Sequence, residues 1–98
     1  MTLAADCGAV SLRDEQTGAQ TPTELGLPRA LVAELTAWNE RYQPVIPADT
    51  DQRRAEPMAS LIAELDHAGI GLAEQIADAL EGGAKVRYYS EGLLREVI

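Results

Sequence analysis

EPMASLIAELDHAGIGLAEQIADALE, residues 56–81, carries the longest apolar periodicity in the chain. Met58, Leu61, Ile62, Leu65, Leu72, Ile76 and Leu80 hold one helical phase through it, because residues three and four apart share a face of an α-helix. Gly69 and Gly71 lower helix propensity without breaking that phase. The spacing therefore predicts one helix over 56–81, kinked near Gly69, with two shorter helices as the alternative. Pro57 suits the opening turn, where its missing N–H would have no partner anyway. Gly82-Gly83 is expected to end the helix.

Upstream, Leu31, Leu35, Trp38 and Tyr42 form a second stripe, which predicts a helix over 28–43 from Pro28 to the break at Pro44. Residues 44–54 read as a connection. Pro44 and Pro47 bracket Val45-Ile46, and Asp49-Thr50-Asp51 offers N-cap candidates. At the start of the chain Leu3, Ala5 and Cys7 alternate with small or polar residues. Val10 and Leu12 continue in the opposite phase, so a β-bulge or tight bend is expected at Gly8. Asp14 to Gly18 is a turn, and Ala19 to Thr23 returns as a short strand that Pro22 confines to an edge. Downstream, Lys85 to Ser90 is the clearest strand, with Val86 and Tyr88 on one side and Lys85, Arg87 and Tyr89 on the other. Leu93 to Ile98 fits a last strand or a short helix equally well.

These elements define a single domain over 1–98, with strand regions 3–23 and 85–98 around helices 28–43 and 56–81. The fold class is α+β: two main helices packed on one face of a small antiparallel sheet, with the N-terminal strand paired to the 85–90 strand. Ninety-eight residues bury roughly 60–65% of their unfolded surface. The core is thin, because 16 of the 45 apolar residues are Ala and there is no Phe.

The order of these features resembles a group of small, uncharacterised actinobacterial proteins. Its marks here are Asp14 and Gly18, then Leu25 and Leu27 leading into the helix of Leu31, Leu35, Trp38 and Tyr42. Gly69-Ile70-Gly71-Leu72-Ala73, Ile76 and Leu80 follow, and then Val86 and Tyr88. The first strand departs from the group, with Ala9, Val10 and Leu12 where further aromatics are expected. The matched positions are of structural type, so the resemblance implies a fold. Small acidic proteins of this kind also resemble immunity proteins of toxin systems.

Sixteen acids against eight bases give a net charge of −8. That charge argues against binding nucleic acid, which requires cations to neutralise phosphates, and against an anionic membrane surface. No apolar run approaches the ~20 residues of a membrane span, and no signal-peptide pattern is visible, so the cytoplasm is the expected location. Cys7 is the single cysteine and His67 the single histidine. Cys7 is expected as a small, buried or half-buried strand residue, inert in apolar surroundings. His67 is expected exposed on its helix, and its neighbour Asp66 points about 100° away and does not orient it. Asp49-x-Asp51 lacks the glycine and terminal glutamate of a calcium loop, and the glycine pairs lack the context of a phosphate loop. No enzyme, cofactor or metal site is expected.

The remaining signal is a binding one. A strong negative field speeds capture of a basic partner. The expected function is therefore a non-catalytic protein-binding module, an acidic immunity protein neutralising a basic toxin. The candidate contacts are Asp14, Glu15, Asp49, Asp51, Glu74, Asp78, Glu81 and, as an outward aromatic anchor, Tyr89. The alternative is a small structural or regulatory interaction protein, a homodimer joined through 85–98.

Overall fold

The computed structural model describes residues 1–80 and 85–98. Among them, the strands are β1 (Thr2–Ala4), β2 (Ser11–Asp14), β3 (Gly18–Gln20), β4 (Arg87–Ser90) and β5 (Arg95–Glu96). The helices, all between β3 and β4, are α1 (Arg29–Tyr42), α2 (Thr50–Arg54) and α3 (Met58–Ala79). The sheet order is β3-β2-β1-β4-β5, which makes this an α+β fold.

Most of the sheet is antiparallel, but β1 and β4 run parallel, with Leu3 opposite Tyr88. The expected small antiparallel sheet is present, with β1–β4 the parallel exception among the described strands. The pairing of the N-terminal strand with the 85–90 strand was expected; its direction was not. Parallel neighbours need a long crossover, and here the whole helical layer supplies it.

Register sorts the sheet into two faces. Leu3 pairs with Leu12 and Tyr88, and all three are buried against the helices. Thr2 pairs with Arg13 and Arg87 on the opposite face, where both arginines are exposed. Tyr88 therefore points inward and Tyr89 outward, because successive strand residues alternate.

The helical stripes behave as the spacing predicts. Leu31, Leu35, Trp38 and Tyr42 of α1 are buried, as are Ile62, Leu65, Leu72 and Ile76 of α3. The helix α3 is one continuous element of 22 residues, which removes the two-helix alternative. Its last residue is Ala79, and the expected stop at Gly82-Gly83 lies outside the described residues.

Glycine at position 69 has a packing reason. A Cβ there would lie 2.6 Å from Cζ and 2.8 Å from Oη of Tyr88. Gly69→Ala is thus expected to lose about 1–3 kcal/mol to overpacking, although alanine is the better helix former by about 1 kcal/mol. Urea unfolding checks this; a stabilised variant would show that Tyr88 moves aside freely.

Near the start of the chain one expectation is narrowed to one of its alternatives and another changes. The phase flip at Gly8 is a bend and not a bulge: β1 stops at Ala4, and Gly8 has φ 79. Cys7 is consequently exposed in the loop, not buried in a strand. This loop is docked on α1 by polar groups. The Asp6 N–H donates to Asn39 Oδ1 (3.0 Å), while Asn39 Nδ2 and Gln43 Nε2 donate to the Asp6 carbonyl at 3.1 and 2.8 Å.

The connection 44–54 contains α2, too short to show periodicity in the sequence. Asp49 is its cap, accepting from the Gln52 N–H at 2.8 Å while the Gln52 side chain accepts from the Asp49 N–H at 3.0 Å. This reciprocal pair is a capping box. The 93–98 segment resolves as a strand at Arg95–Glu96.

Candidate functional site

The densest polar constellation was not singled out from the sequence. Asp66 lies one turn from Ile62 on the inward side of α3, so its carboxylate is carried into the core, where it is buried. Burying a carboxylate is costly unless hydrogen bonds replace its water. Here Oδ1 accepts from the hydroxyls of Tyr42 (2.8 Å) and Tyr88 (2.7 Å), and Oδ2 accepts from Ser90 Oγ (2.6 Å). The donors also receive bonds: Tyr42 Oη accepts from the Gly92 N–H at 2.8 Å, and Ser90 Oγ from the Leu93 N–H at 3.0 Å. Among the described residues no buried side-chain polar atom lacks a partner. One carboxylate thus joins α1, α3, β4 and the turn after β4.

The network keeps its two phenols protonated. Burial, together with the bond and charge of Asp66, pushes the Tyr42 phenol up to about 12. Burial and the same carboxylate push Tyr88 upward as well. Both phenols remain donors, and Asp66 is occupied by three hydroxyls. The arrangement holds the fold together and presents no open group to a substrate.

This gives a pH dependence with a definite sign. Between about pH 10, the ordinary tyrosine value, and about 12, the unfolded chain releases phenolic protons that the folded chain keeps. The folded state binds more protons there, so stability falls with rising pH across that window and is intact below it. Urea midpoints at pH 8, 10 and 11 should decline only above pH 10. A flat series would contradict the burial of these hydroxyls.

The expected contact residues are dispersed. Asp14 serves its own turn, accepting from the N–H groups of Gln16 (2.7 Å) and Thr17 (3.4 Å). Those bonds hold its carboxyl below the usual range. Asp49 caps α2, while Glu15, Asp51, Glu74 and Asp78 are exposed. Glu81 lies outside the described residues. Tyr89 is half-buried on the outer face of the sheet, whereas Glu74 and Asp78 sit on α3, which packs against the inner face. One flat partner surface cannot cover both sets, so the structure does not unite the aromatic anchor with the acidic row.

The α3 acids are the electrostatic anomaly. The helix has no Lys or Arg between Met58 and Ala79. Glu74 and Asp78 are like charges one turn apart, which repel. Asp78 also lies near the C-terminal end, where the macrodipole is negative. Neither has a cation within 4.0 Å among the described residues, the two ion pairs there being Arg41–Glu64 and Arg87–Glu96. A shallow groove between α1 and α3 is lined by Glu34, Ala37, Trp38, Arg41, Ala68, Leu72 and Gln75, with Glu74 and Asp78 outside that lining. His67 is exposed on α3, and no three His, Cys, Asp or Glu among the described residues could hold a metal ion.

A family model described as Serratia CdiI immunity protein-like matches residues 1–91. The chain belongs to that family. No curated protein and no solved structure matches it. The CdiI-like match covers β1 to β4 and every side chain of the Asp66 network. It ends before Leu93, so β5 and the apolar residues around it lie beyond the CdiI-like region.

Among the described residues, no helix of this CdiI-like chain is long and apolar enough to cross a membrane. Asp66, Ser90, Asn39 and Arg53 were overlooked as organising residues. A signal existed for the first, since Asp66 falls on the inward side of a stripe whose neighbours are apolar.

Proposed function

We propose that this chain is a cytoplasmic, non-catalytic immunity protein that neutralises a basic toxin by binding it one-to-one. The observation that carries this reading is the uncompensated acidity of α3, in a member of an immunity-protein family. Glu74 and Asp78 work against the helix that bears them, and a basic partner would relieve that repulsion. In this reading they face the toxin's cationic nucleic-acid-binding surface. The groove between α1 and α3 receives an apolar side chain. Glu15 and Asp51 extend the negative field. Tyr89 takes part only if the partner reaches round to the outer sheet face.

Two measurements test it. Glu74→Gln with Asp78→Gln is expected to leave stability equal or raise it by about 0.5 kcal/mol, the sum of relieved repulsion and dipole terms. A clear loss would show that these acids serve the fold. Affinity capture from native cell extract should retain a basic protein in one-to-one proportion at low salt. Its association rate should fall as salt screens the charges and fall again in the double variant. Recovery of the chain alone, unchanged by salt, would favour the homodimer reading, to which exposed Leu93, Leu94, Val97 and Ile98 lend an apolar patch.

A further inference from the structure

Three of the chain's eight basic residues line one small pocket. Arg53 and Arg54 are the only adjacent pair of bases in the sequence, and the β4–β5 hairpin brings Arg95 beside them. Thr50, Leu93 and Leu94 complete the lining of a cavity of about 230 Å³. In a chain of net charge −8 this is a local reversal of sign.

The centre of the pocket is built and not fortuitous. Arg53 is half-buried and donates to the carbonyls of Ile46 (2.9 Å), Ala48 (2.9 Å), Gly92 (3.3 Å) and Glu91. Those acceptors carry no formal charge, so its guanidinium is held in place with its positive charge intact. Arg54 and Arg95 are exposed. None of the three has a carboxylate within 4.0 Å among the described residues. Of the acids adjacent in sequence, Glu96 pairs with Arg87 at 3.5 Å and Asp49 caps α2, while Asp51 and Glu91 make no ion pair among the described residues and none within 4.0 Å of these arginines.

We infer that this pocket is an oxyanion site that takes a phosphate group. The exposed Arg54 and Arg95 guanidinium groups present planar, forked donors that match phosphate oxygens, the Thr50 hydroxyl adds a further donor, and Arg53, whose N–H groups already serve four carbonyls, contributes its charge. Three cations suit a doubly charged group better than a singly charged carboxylate. Leu93 and Leu94, at 49% and 58% exposure, line one side of the pocket with apolar surface. The volume falls below the ~300–1,000 Å³ of pockets that enclose a whole small molecule. The site therefore fits the phosphate end of a ligand, with the remainder in solvent. This inference does not depend on toxin neutralisation.

The test is a titration of the full ¹⁵N-labelled chain with inorganic phosphate at pH 7.5, with sodium chloride of matched ionic strength as control. Saturable amide shifts are expected around residues 50–54 and 92–95. Arg54→Gln with Arg95→Gln should weaken the apparent affinity at least tenfold and leave the rest of the spectrum unchanged. Arg53 is left intact because it ties α2 to the turn after β4. Acetate should bind at least tenfold more weakly than phosphate. Shifts that fail to saturate, that spread equally to Arg13 and Arg29, that chloride reproduces, or that survive the double substitution would overturn the site. Acetate binding as tightly as phosphate would overturn the phosphate assignment.

Discussion

Asp66→Ala is expected to destabilise the protein by at least about 3 kcal/mol. The substitution removes the acceptor for three hydroxyls at once, those of Tyr42, Tyr88 and Ser90. Each buried donor left without a partner costs about 1–3 kcal/mol. The lower end of that range, taken for all three donors, already amounts to a large part of the 5–15 kcal/mol by which a domain of this size is stable. Asp66→Asn should cost less, about 1–3 kcal/mol, because the amide oxygen still accepts from the tyrosines. Its NH₂ then replaces the oxygen to which the Ser90 hydroxyl donates, so that hydroxyl loses its acceptor. Single deletions of Ser90 Oγ or the Tyr88 hydroxyl should not sum to the Asp66→Ala value, since members of one network are coupled. Urea unfolding with an unchanged slope reads the effect directly. A loss under about 1 kcal/mol for Asp66→Ala would mean that water replaces the carboxylate and the site is not dry.

The same residue shows what the sequence could and could not disclose. The stripes of α1 and α3 were legible because apolar spacing is a local signal that tertiary packing here reinforced. The inward turn of Tyr88 was legible for the same reason, through the alternation with Val86. Asp66 sat in plain view on that periodic stretch, yet a lone acid reads as surface until its partners are known. Those partners lie 22 to 24 residues away, on α1 and β4, a distance over which no local pattern operates. The parallel pairing of β1 with β4 was hidden for a similar reason, because strand direction is set by the crossover and not by the strand. Cys7 misled through alternation. Ala5 and Cys7 continue a strand pattern, but the polar grip of Asn39 and Gln43 on Asp6 ends the strand earlier. The acidic candidates were visible as charges, but the work that Asp14 and Asp49 do for their own turn and helix cap required the structure.

That division also separates what folds this chain from what it offers a partner. The Asp66 network engages its donors and acceptors internally, so its loss would be read as instability. Glu74 and Asp78 make no such bonds within the described residues, so their loss should be read in association and not in stability. The two classes of variant therefore provide controls for each other. A binding defect in Glu74→Gln with Asp78→Gln cannot be blamed on unfolding if the urea midpoint holds.

Trp38→Ala is expected to cost about 3–5 kcal/mol, the range for removing a buried aromatic side chain. The indole is 4% exposed and lies between the two tyrosines of the network. Its centroid is 5.6 Å from that of Tyr42 at an interplanar angle of 67°, and 6.0 Å from that of Tyr88 at 60°. Such tilted pairs add about 0.5–1.5 kcal/mol beyond area burial. Nε1 also donates to the Leu65 carbonyl at 2.8 Å, which fastens α1 to α3 one residue before Asp66. Trp38→Phe keeps much of the apolar contact and removes that donor, so it should lose about 1–2 kcal/mol. The difference between the two variants then separates packing from the hydrogen bond. Because Trp38 is the only tryptophan, its fluorescence reports the same contacts in the unsubstituted chain, and its emission should move to longer wavelength together with the far-ultraviolet signal on unfolding. A Trp38→Ala loss below about 1 kcal/mol would mean that the α1–α3 seam closes over the gap, and that the core does not depend on its largest side chain.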